Sequence, residues 1–159
     1  MYKLFYFNKD QPMKFIGIQV KTTNKNGQSA QDLGNLWGTF MDGNLFTQIP
    51  NKTSDEIIVI YTDYESDYQG AYTAMIGASV SDLKTVPDTM IGREFPKQVF
   101  KKIIAKGEMP SALMKTWQDI WQNDKALNRT YLYDMEIYGA KSQNGNEAEV
   151  EIWLGVREE

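Results

Sequence analysis

The chain has 159 residues, 42% hydrophobic and 24% charged, with a formal net charge of −4, an ordinary composition for one globular domain. Its acidic balance lacks the basic face that phosphate backbones demand, so no direct nucleic-acid partner is expected. With no cysteine and no histidine, disulfide frameworks, thiolate sites and Ser–His–Asp or Cys–His catalysis are excluded.

No run reaches the roughly 18 apolar residues that span a bilayer, and the N-terminal MYKLFYFNKDQPM lacks the layout of a signal peptide. The expectation is a cytoplasmic protein with no membrane partner. Aromatic residues make up 13%, including 4 Trp and 9 Tyr, and such rings line either a core or a pocket.

The first strong strand is MKFIGIQV, followed by a polar stretch with an Asn-Gly turn signal at 26–27. Ser29 followed by Asp32 suits a helix start. Leu33, Leu36, Trp37, Phe40 and Met41 then form one apolar face at helical period, and Gly43 suits the stop. Two strands follow, EIIVIYTD and AYTAMIGASV, around the hairpin loop YESDYQG. SDLKTVPDTMIGREFP carries two prolines and reads as a connection. KQVFKKIIAKG is the next strand, and Pro110 suits the first turn of a helix over 110–123. TYLYDMEIYG and EAEVEIWLGV are the closing strands, around a QNGN turn.

The two halves repeat. Leu33, Trp37, Phe40, Met41 and Leu113, Trp117, Ile120, Trp121 share one spacing, with the tryptophans 80 residues apart. A strand–helix–strand–strand unit thus occurs twice, over about 12–80 and 97–157, within a single domain covering 1–159. The predicted class is α+β: a mostly antiparallel sheet with both helices on one face and a cleft where the halves meet. On this pattern the helical tryptophans serve most simply as core.

Strand alternation singles out one acid. In 131–139 one face carries Tyr131, Tyr133, Met135 and Ile137, a natural partner for the helices, and the other carries Leu132, Asp134, Glu136 and Tyr138. In the last strand Val150, Ile152, Leu154 and Val156 leave Trp153 opposite. Glu136, Tyr138 and Trp153 are therefore expected together on the helix-free face. There they form either a solvated sheet surface or an aromatic pocket suited to an organic cation.

FIGIQVKTTN, LGNLWGTF, IVIYTDYESDYQGAYTAMIG, YDMEIYG and IWLGV, in this order, resemble the GyrI-like family. These are the effector-binding domains of AraC-type and multidrug-sensing bacterial regulators, with stand-alone and integron-associated members. The resemblance covers roughly 12–156. It implies a small-molecule groove between the repeats, Glu136 as the group that meets cationic ligands, Trp153 lining the same pocket, and Tyr61 and Tyr64 as walls. Tyr138 and Trp37 complete the candidate set. Nothing before residue 12 is long enough for a helix-turn-helix, so ligand binding is the expected role rather than DNA binding.

The other constellations are weaker. Asp63, Glu65 and Asp67 alternate in a hairpin loop but lack the calcium-loop pattern, and no metal or cofactor is expected. Glu136 as a general base in a hydrolase of reactive small molecules is the enzyme alternative. An inhibitory protein-binding module follows from the family name alone.

Overall fold

The computed structural model describes residues 3–8 and 11–158. Its strands are β1 (Leu4–Tyr6), β2 (Met13–Thr23), β3 (Ile57–Thr62), β4 (Ala71–Val80), β5 (Ile91–Phe95), β6 (Val99–Lys106), β7 (Tyr133–Tyr138) and β8 (Glu149–Val156). The two main helices are α1 (Gln28–Asp42) and α3 (Ser111–Gln122), each followed by a single turn, α2 (Leu45–Gln48) and α4 (Asp124–Leu127). Among the described residues, no helix is long and apolar enough to cross a membrane.

All eight strands form one antiparallel sheet in the order β1-β6-β8-β7-β3-β4-β2-β5. Read outward from the β3–β7 seam, the two sides match: β3, β4, β2 mirror β7, β8, β6. Each unit is also completed by the strand that precedes the other. β1 runs before β2 in sequence but pairs with β6, and β5 runs before β6 but pairs with β2.

Both helices lie on one face, as the duplicated stripes require. Leu36 and Phe40 of α1 pack on Ile16, Val59 and Ile76, while Leu113, Trp117 and Ile120 of α3 pack with Ile152, Leu154 and Val156. The register ties these groups together, because Val59 pairs with Glu136 and Glu136 with Ile152, and directly opposed residues share a face. The fold is the expected α+β sheet with one-sided helices.

Four details differ from the sequence reading. The connection 81–96 contains β5, whose Phe95 packs against Tyr133 and Phe15. The short β1 at the N-terminus completes the other edge. Helix α1 starts at Gln28 behind Gly27, which sits at φ 71°, with no side-chain cap from Ser29.

The largest difference is the orientation of β7. Tyr133, Met135 and Ile137 point away from the helices, into a second apolar layer with Ile58, Phe100 and Trp153. Glu136 and Tyr138 consequently point towards the helices. Strand parity separates two sides of β7 but does not say which of them meets the helices. Here both faces are covered, one by α1 and α3 and the other with help from Phe5, Phe7 and Phe95, so apolarity does not distinguish them.

The close packing of β2 on β4 depends on glycine. Gly17 and Gly77 are cross-strand partners, and a Cβ on either would stand 2.2 Å and 2.0 Å from a facing carbonyl oxygen.

Candidate functional site

β7 lies beside the seam, so the side chains on its helix face emerge between α1 and α3. Glu136 is central among them and 2% exposed. Its Oε2 accepts hydrogen bonds from the Tyr61 hydroxyl at 2.8 Å and the Trp117 indole N–H at 2.7 Å. Its Oε1 accepts from the Tyr138 hydroxyl at 2.6 Å. The donors come from β3, α3 and β7, so both units build the cage. The rings interlock edge to face, as their quadrupoles prefer. Trp37 meets Tyr138 at 5.0 Å and Tyr61 meets Trp117 at 5.6 Å.

Burial pushes the Glu136 carboxyl above its ordinary 4.5, while the hydrogen bonds from Tyr138, Trp117 and Tyr61 partly hold it down. Burial, reinforced by the negative charge of Glu136, lifts the Tyr61 and Tyr138 phenols well above 10, so both remain neutral donors. Among the described residues, the ion pairs include none to Glu136. A buried carboxylate held only by neutral donors is costly to desolvate and attracts a positive charge.

Two residues along the same face of β7, Asp134 is fully buried and balanced differently. Its Oδ2 accepts from Arg129 Nη2 at 2.7 Å and from the Tyr64 hydroxyl at 2.5 Å, and its Oδ1 accepts the Gly155 N–H at 2.8 Å. Tyr72 bridges the two acid sites, its ring lying 5.8 Å from both Tyr61 and Tyr64. The outer wall is the stack of Tyr68 on Trp121, 5.7 Å apart and 6° from parallel, which ties the β3–β4 loop to α3.

Glu136, Tyr138, Tyr61 and, through Tyr138, Trp37 therefore come together. Tyr64 lies one step away, on Asp134. Trp153 does not join them: it pairs with Met135 across β7–β8 and faces the opposite side of the sheet. There it packs against Phe5, Phe7 and Phe100, with Lys102 over its ring at 4.9 Å. The expected association of Trp153 with Glu136 on a helix-free face is thus corrected, because β7 and β8 align Glu136 with Ile152.

The sequence reading missed Trp117, Tyr72, Asp134 and Arg129. Trp117 had a signal, being the repeat counterpart of Trp37. Asp134 shares the parity of Glu136. Arg129 carried no signal, since it precedes β7 in an irregular segment. The loop acid Asp63 forms a two-pronged pair with Arg93 at 2.6 Å and 2.7 Å, joining the end of β3 to the middle of β5.

This duplicated sheet has the fold of solved effector-binding relatives. The chain belongs to the Cass2 family, integron-associated effector-binding proteins, whose model matches residues 8–156. Small-molecule binding is the family's role, in agreement with the GyrI-like resemblance.

Bacillus subtilis YobU, named a transcriptional regulator protein, is 22% identical over 147 residues, spanning 91% of this chain and 92% of its own. Among solved structures, a Vibrio cholerae integron cassette protein is 24% identical with a TM-score of 0.72, covering 98% of this chain and 95% of its own. SAV2435, solved bound to tetraphenylphosphonium, has a TM-score of 0.79 at 16% identity, covering 99% and 94%.

Proposed function

We propose that the Glu136 cage recognises an organic cation with an aromatic or amphipathic body, seated between the two units. The observation that carries this is the state of Glu136: buried, held by three neutral donors, and without an ion pair among the described residues. Such a carboxylate supplies charge, and the surrounding ring faces add quadrupole attraction. Specificity for shape stays loose, because rings rather than directional hydrogen bonds line the site. Trp37, Tyr61, Trp117 and Tyr138 are only partly buried, and a ligand reaches the acid by displacing one of these rings.

Tetraphenylphosphonium, the molecule bound to SAV2435, has this chemistry: a permanent charge inside an aromatic shell, with no hydrogen to donate. Because YobU is named a transcriptional regulator, the wider form of the proposal is a sensor whose ligand occupancy feeds gene regulation. The enclosing ring cage favours binding over base catalysis by Glu136, which would need a second polar group facing the acid across a substrate.

Titration of the protein with tetraphenylphosphonium, followed by tryptophan fluorescence, tests the reading. Saturable quenching is expected, and an uncharged triphenylphosphine oxide should bind about tenfold or more weakly, the scale of one charged contact. Equal affinity for the two compounds, or no saturable binding of the cation, would overturn it.

A further inference from the structure

A second cage lies beside the first and already contains a cation. Asp134 supplies the carboxylate, and the Tyr64 hydroxyl and the Gly155 N–H supply its neutral donors. The Arg129 guanidinium lies 4.2 Å from the Tyr131 ring centroid and 5.9 Å from that of Trp117. Arg129 is 4% exposed. Its Nη2 is committed to Asp134 and its Nη1 to Asp124 and the Tyr131 hydroxyl. Tyr131 in turn donates to Asp124, from a left-handed backbone at φ 56° that an aromatic residue rarely adopts.

Acid, phenol and ring faces thus recur in both cages, and Trp117 belongs to both: its indole N–H serves Glu136 and its ring faces Arg129. The cages differ in one respect. Asp134 has its cation from within the chain, whereas Glu136 has none among the described residues. The fully buried acids Asp134 and Glu136 together with Arg129 leave one net negative charge to answer. Asp124, the remaining acid of the network, has a side chain 20% exposed and is screened by solvent.

We propose that Arg129 is a specificity-determining residue that fills a second acid-and-ring cage and thereby limits the site to ligands bearing one positive charge. This rests on the cation reading of Glu136. Without Arg129, two buried carboxylates about 7 Å apart along one strand face would present a site for a dication, one end at Glu136 and the other in the vacated guanidinium position.

The test compares butyltriphenylphosphonium with the same molecule carrying a guanidinium at the end of its butyl chain, on wild type, Arg129→Ala and the double variant Arg129→Ala/Asp134→Asn. In wild type the guanidinium should add nothing. In Arg129→Ala it should improve affinity by about tenfold or more, the scale of a charge-assisted hydrogen bond. The double variant, which lacks the buried partner acid and keeps only the solvent-screened Asp124, should lose most of that gain. If Arg129→Ala is too unstable to titrate, millimolar methylguanidinium should restore its folded signal, with no such effect on the double variant. A guanidinium gain already present in wild type, no gain in folded Arg129→Ala, or no restoration of the unstable variant overturns the proposal. Wild type that binds neither phosphonium compound refutes instead the cation reading on which it rests.

Discussion

Glu136 concentrates the energetic tension of the molecule. Its carboxyl titrates above 4.5 because burial outweighs three hydrogen bonds, so between that value and its folded pKa the native state holds more protons than the unfolded chain. Stability from this group is therefore greatest below about 4.5 and falls as pH rises through the folded pKa, beyond which it levels off. Cation binding runs the other way, because it needs the ionised acid. Affinity for tetraphenylphosphonium should rise across the same window, and a pH series from about 4 to 8 should show one step that Glu136→Gln removes. Tyr61→Phe and Tyr138→Phe each delete a bond that holds the pKa down, so each should move the step to higher pH. A step unmoved by either change would mean that another group titrates. Tyr61 and Glu136 were legible as candidates from the family resemblance, and Tyr138 from its strand parity with Glu136. That their oxygens meet was not, because three residues from two strands come together only through the register of β3 on β7.

At the level of elements, Trp117 and Trp153 exchange the roles that sequence spacing suggests. Trp153 is 8% exposed within the apolar layer opposite the helices, whereas Trp117 is half-buried and bonded to Glu136. Trp153→Ala should therefore cost roughly 3–5 kcal/mol of stability. Trp117→Ala should cost less in a denaturant melt but weaken cation binding more, and equal stability losses would contradict the assignment. The reason for the exchange is physical. A helical stripe at period 3.6 reports which side of a helix is covered, and a tryptophan at its margin can contribute both packing and a polar N–H. The long elements were legible: β4 spans the predicted 71–80, and α1 and α3 begin and end within a residue of expectation. The short edge strands β1 and β5 were not, since three to five residues beside prolines or at a terminus carry too little pattern. Gly17→Ala should be severely destabilising, because its Cβ would meet the Ile76 carbonyl at 2.2 Å. A melting temperature close to wild type would show that β2 and β4 can separate at little cost.

On the scale of the whole molecule, duplication explains both fold and site. Each unit alone would expose one strand of the β3–β7 seam and lack its outer strand, which the other unit's leading segment supplies. We infer that residues 1–80, which carry β1 to β4, and residues 81–159, which carry β5 to β8, act as one folding unit. Expressed separately, each should show little protection in hydrogen exchange, and mixing them should restore it; a half that folds alone would contradict this. The repeat was legible because its 0, 4, 7, 8 spacing survives twice. The strand exchange between the halves was not, since it depends on which edge each leading segment reaches. The cage inherits this shared construction, with Tyr61 from one unit and Trp117, Glu136 and Tyr138 from the other. The most direct measurement of the central claim is calorimetric titration of wild type and Glu136→Gln with tetraphenylphosphonium and an uncharged analogue. The account predicts that the substitution weakens the cation by about 1.5–3 kcal/mol, the scale of a charged hydrogen bond, and leaves the neutral analogue unchanged. Cation affinity that survives Glu136→Gln in a correctly folded protein would contradict it.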